Sequence, residues 1–212
     1  MPKRTKAEAV KLIRDCAILY SKNLANKNVL FITSHDGITS GFEAQFMPQN
    51  YMHLTGVSSR LKSVLFYQSA INNRLSVNDI TLSPDGKTEQ KLDVLPQLMN
   101  IHILARMIGD YDNHRPLLVA DRFAGTVAMA MGFVRINNGL YVPSTSLKMD
   151  VRDITTQATR RRVVSIFIKP RREALYKQLT YIAKGVTIND INLLPILREK
   201  VDLEDLTATF PI

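Results

Sequence analysis

Apolar residues recur at three- and four-residue spacings through Ala9, Leu12, Ile13, Cys16, Leu19 and Tyr20, the period of a helix buried along one face. Residues 5–25 are therefore expected to be helical. The period then changes to that of strands. "NVLFIT" (28–33) is a β-rich run that ends in the turn residues "SHDG", and "GFEAQFM" alternates as a second strand. After "YMHLTG" a helix is expected from Ser59 to about Asn73, burying Leu61, Val64, Leu65, Tyr67 and Ala70, with Ser58 or Ser59 as its cap. "SPDGK" (83–87) reads as a turn. "TEQKLDVLPQLMNIHILARMIGDY" reads as a helix divided near Pro96, where the backbone donor is missing.

The second half has a different pattern. "RPLLVAD" (115–121), "TVAMAMGFVRI" (126–136), "GLYVPS" (139–144) and "RRVVSIFIKP" (161–170) are β-rich and joined by short polar turns. Asn137-Asn138-Gly139 is a hairpin signal. "RREALYKQLTYIAKG" returns to a helical period and closes at Gly185, and "NDINLLPILREKVDLEDL" is a further helix candidate. Helices first and antiparallel strands later predict an α+β class. No internal repeat or long linker interrupts the chain.

Charge adds a partner. The net charge is +9 over 212 residues. Residues 1–27 hold seven Lys/Arg against two acids, and 148–177 hold nine against three. Residues 186–212 reverse the sign, with five acids against two bases. A basic body with an acidic tail suits a polyanion, nucleic acid first; a solvated basic surface kept for solubility is the alternative. The apolar "INLLPIL" before Glu199–Asp205 suggests that the tail covers part of the basic surface or forms a subunit contact.

Cys16 is the single cysteine, which excludes an internal disulfide framework and suits a reducing compartment. No apolar run is long enough for a membrane span, and the basic N-terminus does not read as a signal peptide. A cytoplasmic protein is expected. Metal and cofactor chemistry lose their footing: His35, His53, His102 and His114 show no paired ligand spacing, and one cysteine cannot build a zinc site. No phosphate-cradling glycine loop, nucleophile elbow or dinucleotide fingerprint is present, so no cofactor is expected.

Of the histidines, His102 is flanked by apolar residues and reads as core, His114 and His35 as loop residues. His53 lies where an extended segment is expected to meet a helix, held rigidly yet able to face a cleft. "YMHLTGV", the helix with "FYQSAINNRL", "TEQKLDVL", "MIGDY", "GFVR", "YVPSTSL" and the late "IFIKP" together resemble the phage-encoded barnase–EndoU–colicin–RelE-like nuclease family, in particular its branch with a His-Leu-Thr-Gly signature. The resemblance covers roughly residues 28–184. It implies a metal-independent ribonuclease fold of phage, plasmid and other mobile elements, with helices on a four-stranded antiparallel sheet and the active site across the sheet face. The fold expected is thus α+β: N-terminal helices packed on a mainly antiparallel β-sheet of about four strands, with C-terminal helices. Three parts follow, an N-terminal helical extension (1–27), a nuclease-like domain (28–185) and an acidic helical appendage (186–212).

Cleaving RNA without a metal uses the 2′-hydroxyl as nucleophile, and needs a base, a cation on the phosphorane and an acid for the leaving oxygen. His53 is the candidate for that base or acid. Thr55 is placed to bond the phosphate or orient His53. Lys91 and Lys169 supply charge, and Ser144 and Thr145 donate to a non-bridging oxygen. Each has a bland counterpart: a helix-entry cap for Thr55, solvated or strand-end charges for the lysines, turn residues for Ser144 and Thr145. Arg160, Arg161 and Arg162 suit backbone phosphates, Arg160 and Arg162 sharing a strand face, or else a solvated edge. Two readings remain. One is an RNA-cleaving, toxic or defensive nuclease with a possible immunity or antitoxin partner. The other is a non-catalytic module of a mobile element that grips nucleic acid or inhibits a host nucleic-acid-handling complex.

Overall fold

Thr5 opens the first helix with a capping box: its hydroxyl accepts from the Glu8 N–H at 3.2 Å, and its own N–H donates to the Glu8 carboxylate at 2.7 Å. The computed structural model describes residues 4–112 and 118–208; His114 and residues 115–117 of the expected run "RPLLVAD" lie outside the described residues. Helix α1 (Lys6–Asn23) buries Ala9, Val10, Ile13, Cys16, Ala17 and Tyr20, as the sequence period requires. Burial raises the Cys16 thiol to about 12, so it is a core side chain.

Strands β1 (Lys27–His35) and β2 (Ile38–Phe46) form the expected hairpin, turned at Asp36 and Gly37, both with positive φ. Helix α2 (Tyr51–Thr55) and a short ribbon of β3 (Ser58–Ser59) with β4 (Ile80–Thr81) flank α3 (Ser63–Ile71). Ser58 and Ser59 therefore belong to a strand, and Lys62 is the N-cap residue. Helix α4 (Lys87–Leu98) contains Pro96, and the chain breaks after it before α5 (Ile101–Leu104). Then follow β5 (Met107–Asp110), β6 (Arg122–Gly125), β7 (Ala130–Arg135), β8 (Tyr141–Leu147), β9 (Arg161–Pro170), β10 (Gln178–Ile182), α6 (Pro195–Arg198) and β11 (Thr207–Ala208).

The expected sheet of about four antiparallel strands is wrong. Seven strands in the order β1-β2-β8-β7-β6-β5-β9 close on themselves through a β9–β1 pairing, and β10 and β11 extend the wall from β9. Most pairs are antiparallel; β2–β8 and β10–β11 are parallel, the former through the single pair Ala44–Tyr141. The expected C-terminal helices are also corrected. Part of 171–185 is strand β10, and the tail keeps one short helix, α6. "MIGD" is β5 rather than the end of a helix.

Closure needs coiling, and one-residue bulges increase it. Val164 is the extra residue of β9 against β1, since Ile32 pairs with Ser165 and Thr33 with Val163. Ser144 is the extra residue of β8, since Gly132 pairs with Thr145 and Phe133 with Pro143. The first bulge lets Val163 and Ile166 face the same core, which unbroken alternation forbids.

Inward side chains of the barrel and the apolar faces of α1, α3 and α4 make one core, with Phe31, Phe42 and Phe133 mutually packed. The tail covers a second cluster on the outer face of β1, β9 and β10. Among the described residues no helix is long and apolar enough to cross a membrane.

Candidate active site around the His-Leu-Thr-Gly turn

Tyr51 anchors α2. Its ring is fully buried 5.1 Å from Tyr20 and 5.8 Å from Tyr67, and its hydroxyl donates to the Ile13 carbonyl at 2.5 Å. Tyr51, Leu54 and Thr55 form the buried face of this short helix, which leaves His53 exposed in its last turn. His53 thus closes a helix; it does not precede one. Gly56 then ends α2 in the left-handed region, φ +69°, where a side chain is strained.

Two elements, β8 and α4, hold this turn. The Ser146 hydroxyl on β8 donates to the Leu54 carbonyl at 2.7 Å, and the Thr88 hydroxyl on α4 donates to the Gly56 carbonyl at 2.7 Å. The Lys91 stem crosses Gly56 so closely that a Cβ there would lie 2.5 Å from the lysine Cδ. Gly56 is therefore required for its conformation and for the passage of Lys91. Past it, the Lys91 ammonium donates to the Thr145 hydroxyl at 2.9 Å. Burial lowers the Lys91 pKa. Among the described residues Lys91 has no carboxylate partner, whereas the neighbouring cations do: Arg4 pairs with Glu89 and Asp93, and Lys148 with Asp93, each at 2.7 Å.

The structure therefore joins Lys91 to Thr145 past Gly56, the glycine that ends the helix carrying His53 three residues earlier. Thr55 is there too, but sealed: it is 0% exposed, donates to the Met52 carbonyl at 2.7 Å and accepts from the Val57 N–H at 3.4 Å. It shapes the turn that carries His53. The Ser144 hydroxyl, at the bulge, is buried with no hydrogen-bond partner among the described residues.

Lys169 is elsewhere. It sits on β9, three strand spacings or roughly 14 Å around the wall from β8 by way of β1 and β2. Its ammonium donates to the Ala174 carbonyl at 2.6 Å and lies 4.7 Å from the Tyr176 ring centroid. The three arginines also separate. Arg160 precedes β9 and spends its guanidinium on the Thr155 and Arg152 carbonyls, which ties down the 151–160 segment. Arg161 turns toward the open end of the barrel, and Arg162 is exposed.

Sequence reasoning missed Gly56, Thr88 and Ser146 as the supports of the turn. Gly56 was the detectable one, as the glycine that closes the His-Leu-Thr-Gly tetrad. It also missed Asp110 and Arg122, joined at 2.7 Å at the barrel's open end, because "MIGDY" has the look of a helix end.

A model of the family described as phage-Barnase-EndoU-ColicinE5/D-RelE like nuclease 4 matches residues 12–185. No curated protein and no solved structure matches the chain.

Proposed function

The chain belongs to the phage-Barnase-EndoU-ColicinE5/D-RelE like nuclease family, and on that premise we propose that it cuts RNA without a metal at the His53–Lys91–Thr145 turn. The observation that carries this reading is the lysine. An ammonium held half-buried, with no carboxylate partner among the described residues and bonded to a hydroxyl, is a ready site for phosphate charge, and its stem crosses the glycine that ends the helix carrying the exposed His53. In this mechanism His53 takes the 2′-hydroxyl proton. The 2′-oxygen bonds to phosphorus, and the bond to the 5′-oxygen breaks. Lys91, with the Thr145 hydroxyl, bears the charge of the phosphorane. A cyclic phosphate and a 5′-hydroxyl end result, the latter protonated by the imidazolium or by water.

The His-Leu-Thr-Gly branch is the proposed subfamily, with a mobile element as the proposed setting and an immunity protein as a proposed partner. Purified protein in excess chelator should cleave RNA to cyclic-phosphate ends and leave a 2′-deoxy substrate intact. His53→Ala should keep the fold and lower the rate by on the order of a hundredfold or more. Binding without cleavage across many RNAs would replace this reading with the non-catalytic module, and an unchanged rate in His53→Ala would remove the turn from the chemistry.

A further inference from the structure

The barrel's interior is apolar where the helices close it and polar at its other end. There the β1–β2 hairpin, the paired ends of β5 and β6 and the start of β9 meet around a cavity of about 180 Å³. A small barrel is normally filled by its own side chains. Here the filling stops at the Phe42 ring, and above it the wall is made by Thr33, Ser40, Asp110, Arg122 and Arg161. The Thr33 and Ser40 hydroxyls are 2.7 Å apart, so the pair offers both a donor and an acceptor. Asp110 accepts from Arg122 Nε at 2.7 Å through one carboxylate oxygen. The Arg122 guanidinium lies 5.5 Å from the Phe42 centroid and 5.3 Å from that of Tyr141.

Arg161 has a different setting. One of its terminal nitrogens donates to the Ala158 and Arg160 carbonyls at 2.8 Å each, and among the described residues it has no carboxylate partner. Two guanidinium groups against one carboxylate leave the recess with an excess positive charge. An adjoining depression shares Arg122; Arg135 adds a positive charge to it, while Lys200 there is neutralised by Glu43 at 2.6 Å.

These features specify an occupant. The cavity is well below the ~300 Å³ at which drug-sized pockets begin, so it holds one small ring system. Its wall presents acceptors, donors and a planar cation as a stacking face, the set that recognises the edge and face of a nucleobase. Its rim presents an arginine suited to a phosphate. We propose that the barrel mouth binds a single nucleotide, with the base in the recess against Arg122 and Asp110 and the phosphate on Arg161. The site is separate from the His53 turn and goes beyond the reaction assigned there. Its ligand is either a free nucleotide or an unpaired residue of a strand.

Calorimetry on the intact protein tests this with the four nucleoside 5′-monophosphates, ribose 5-phosphate and inorganic phosphate. At least one nucleotide should bind tenfold or more tightly than both base-free probes. Arg161→Ala should weaken it by tenfold or more. Arg122→Lys keeps the charge but loses the planar face, and should erase the preference for a nucleotide over ribose 5-phosphate. Ser40→Ala, a smaller change, should alter the ranking of the four bases. A 5′-phosphorylated trinucleotide that binds more tightly than the monophosphate identifies a strand as the source; a weaker one identifies the free nucleotide. Equal affinity for nucleotide and phosphate would overturn the proposal, as would full binding in folded Arg161→Ala and Arg122→Lys proteins. His53→Ala should bind the nucleotide as well as the parent does, and loss there would move the ligand to the other site. Because binding is read directly, a protein that cuts no RNA leaves this result standing.

Discussion

His102 is the histidine that the fold sequesters. Burial, and then the charge of Lys27, depress its pKa to about 4. Its Nδ1 is buried with no hydrogen-bond partner among the described residues. Between about pH 6.5 and 4 the unfolded chain binds a proton that the native imidazole refuses, so stability falls as pH drops through that window and levels below it. At pH 4.5 the loss from this one group is on the order of 2–3 kcal/mol. His102→Leu should remove that slope, and near pH 7 it should cost little, because an orphaned polar atom leaves the core. Urea midpoints at pH 7.5 and 4.5 for both proteins check it, and an equal acid loss in the variant would refute it. Residue-type reasoning separated this apolar-flanked histidine from exposed His53, and it chose Lys91 and Thr145, which prove to be bonded to each other. It had no means of seeing that Thr55 is sealed, which is a matter of packing, or that Ser144 is a bulge residue, which is a matter of strand register.

The His-Leu-Thr-Gly turn works as a unit because α2, α4 and β8 all bond to it. Gly56→Ala should test that unit. The left-handed conformation costs an L side chain roughly 1–2 kcal/mol, and the new methyl would displace the Lys91 stem from its path to Thr145. The expected outcome is a modest fall in melting temperature with a much larger fall in any cleavage. Lys91, displaced from its buried path, should also become more accessible to an amine-modifying reagent. A variant with lowered stability but an unaltered Lys91 and rate would show that the crossing is incidental. Elements were legible in the sequence where one period ran unbroken: α1, the β1–β2 hairpin and the β7–β8 hairpin follow from their patterns. β5 was not, because "MIGD" is four residues long and follows directly on a helical segment. β10 was not, because "QLTYI" lies within a stretch whose apolar residues also fit a helical spacing.

At the scale of the whole molecule the decisive contacts are the least local. The barrel closes when β9 pairs with β1, more than a hundred residues earlier, and its β2–β8 seam rests on one residue pair. Hydrophobic patterning cannot announce such pairings, so an open sheet was the natural reading of strands that in fact form a closed wall. The same limit applies to the tail. Its sequence suggested either a cover over part of the basic surface or a contact between subunits; in the structure it lies on an apolar outer face of β1, β9 and β10. Leu197 packs over Gly41, the Thr39 hydroxyl bonds to the Asn192 carbonyl, and Lys200 pairs with Glu43 at 2.6 Å. Val201 bridges to Tyr176, and Lys177 meets Asp202 and Asp205 at 3.2 and 3.0 Å. Beneath lie Leu30, Ile32, Phe167 and Leu179, an outer barrel face too apolar to stand in water. Deleting 186–212 should therefore lower the melting temperature by on the order of 10 °C and promote aggregation, the response of a protein that has lost several kcal/mol of apolar burial. Leu197→Asp in the full chain should reproduce part of that loss without shortening it. If the deletion melts with the parent and does not aggregate on sedimentation, the tail contributes nothing to the barrel and its docking is superficial.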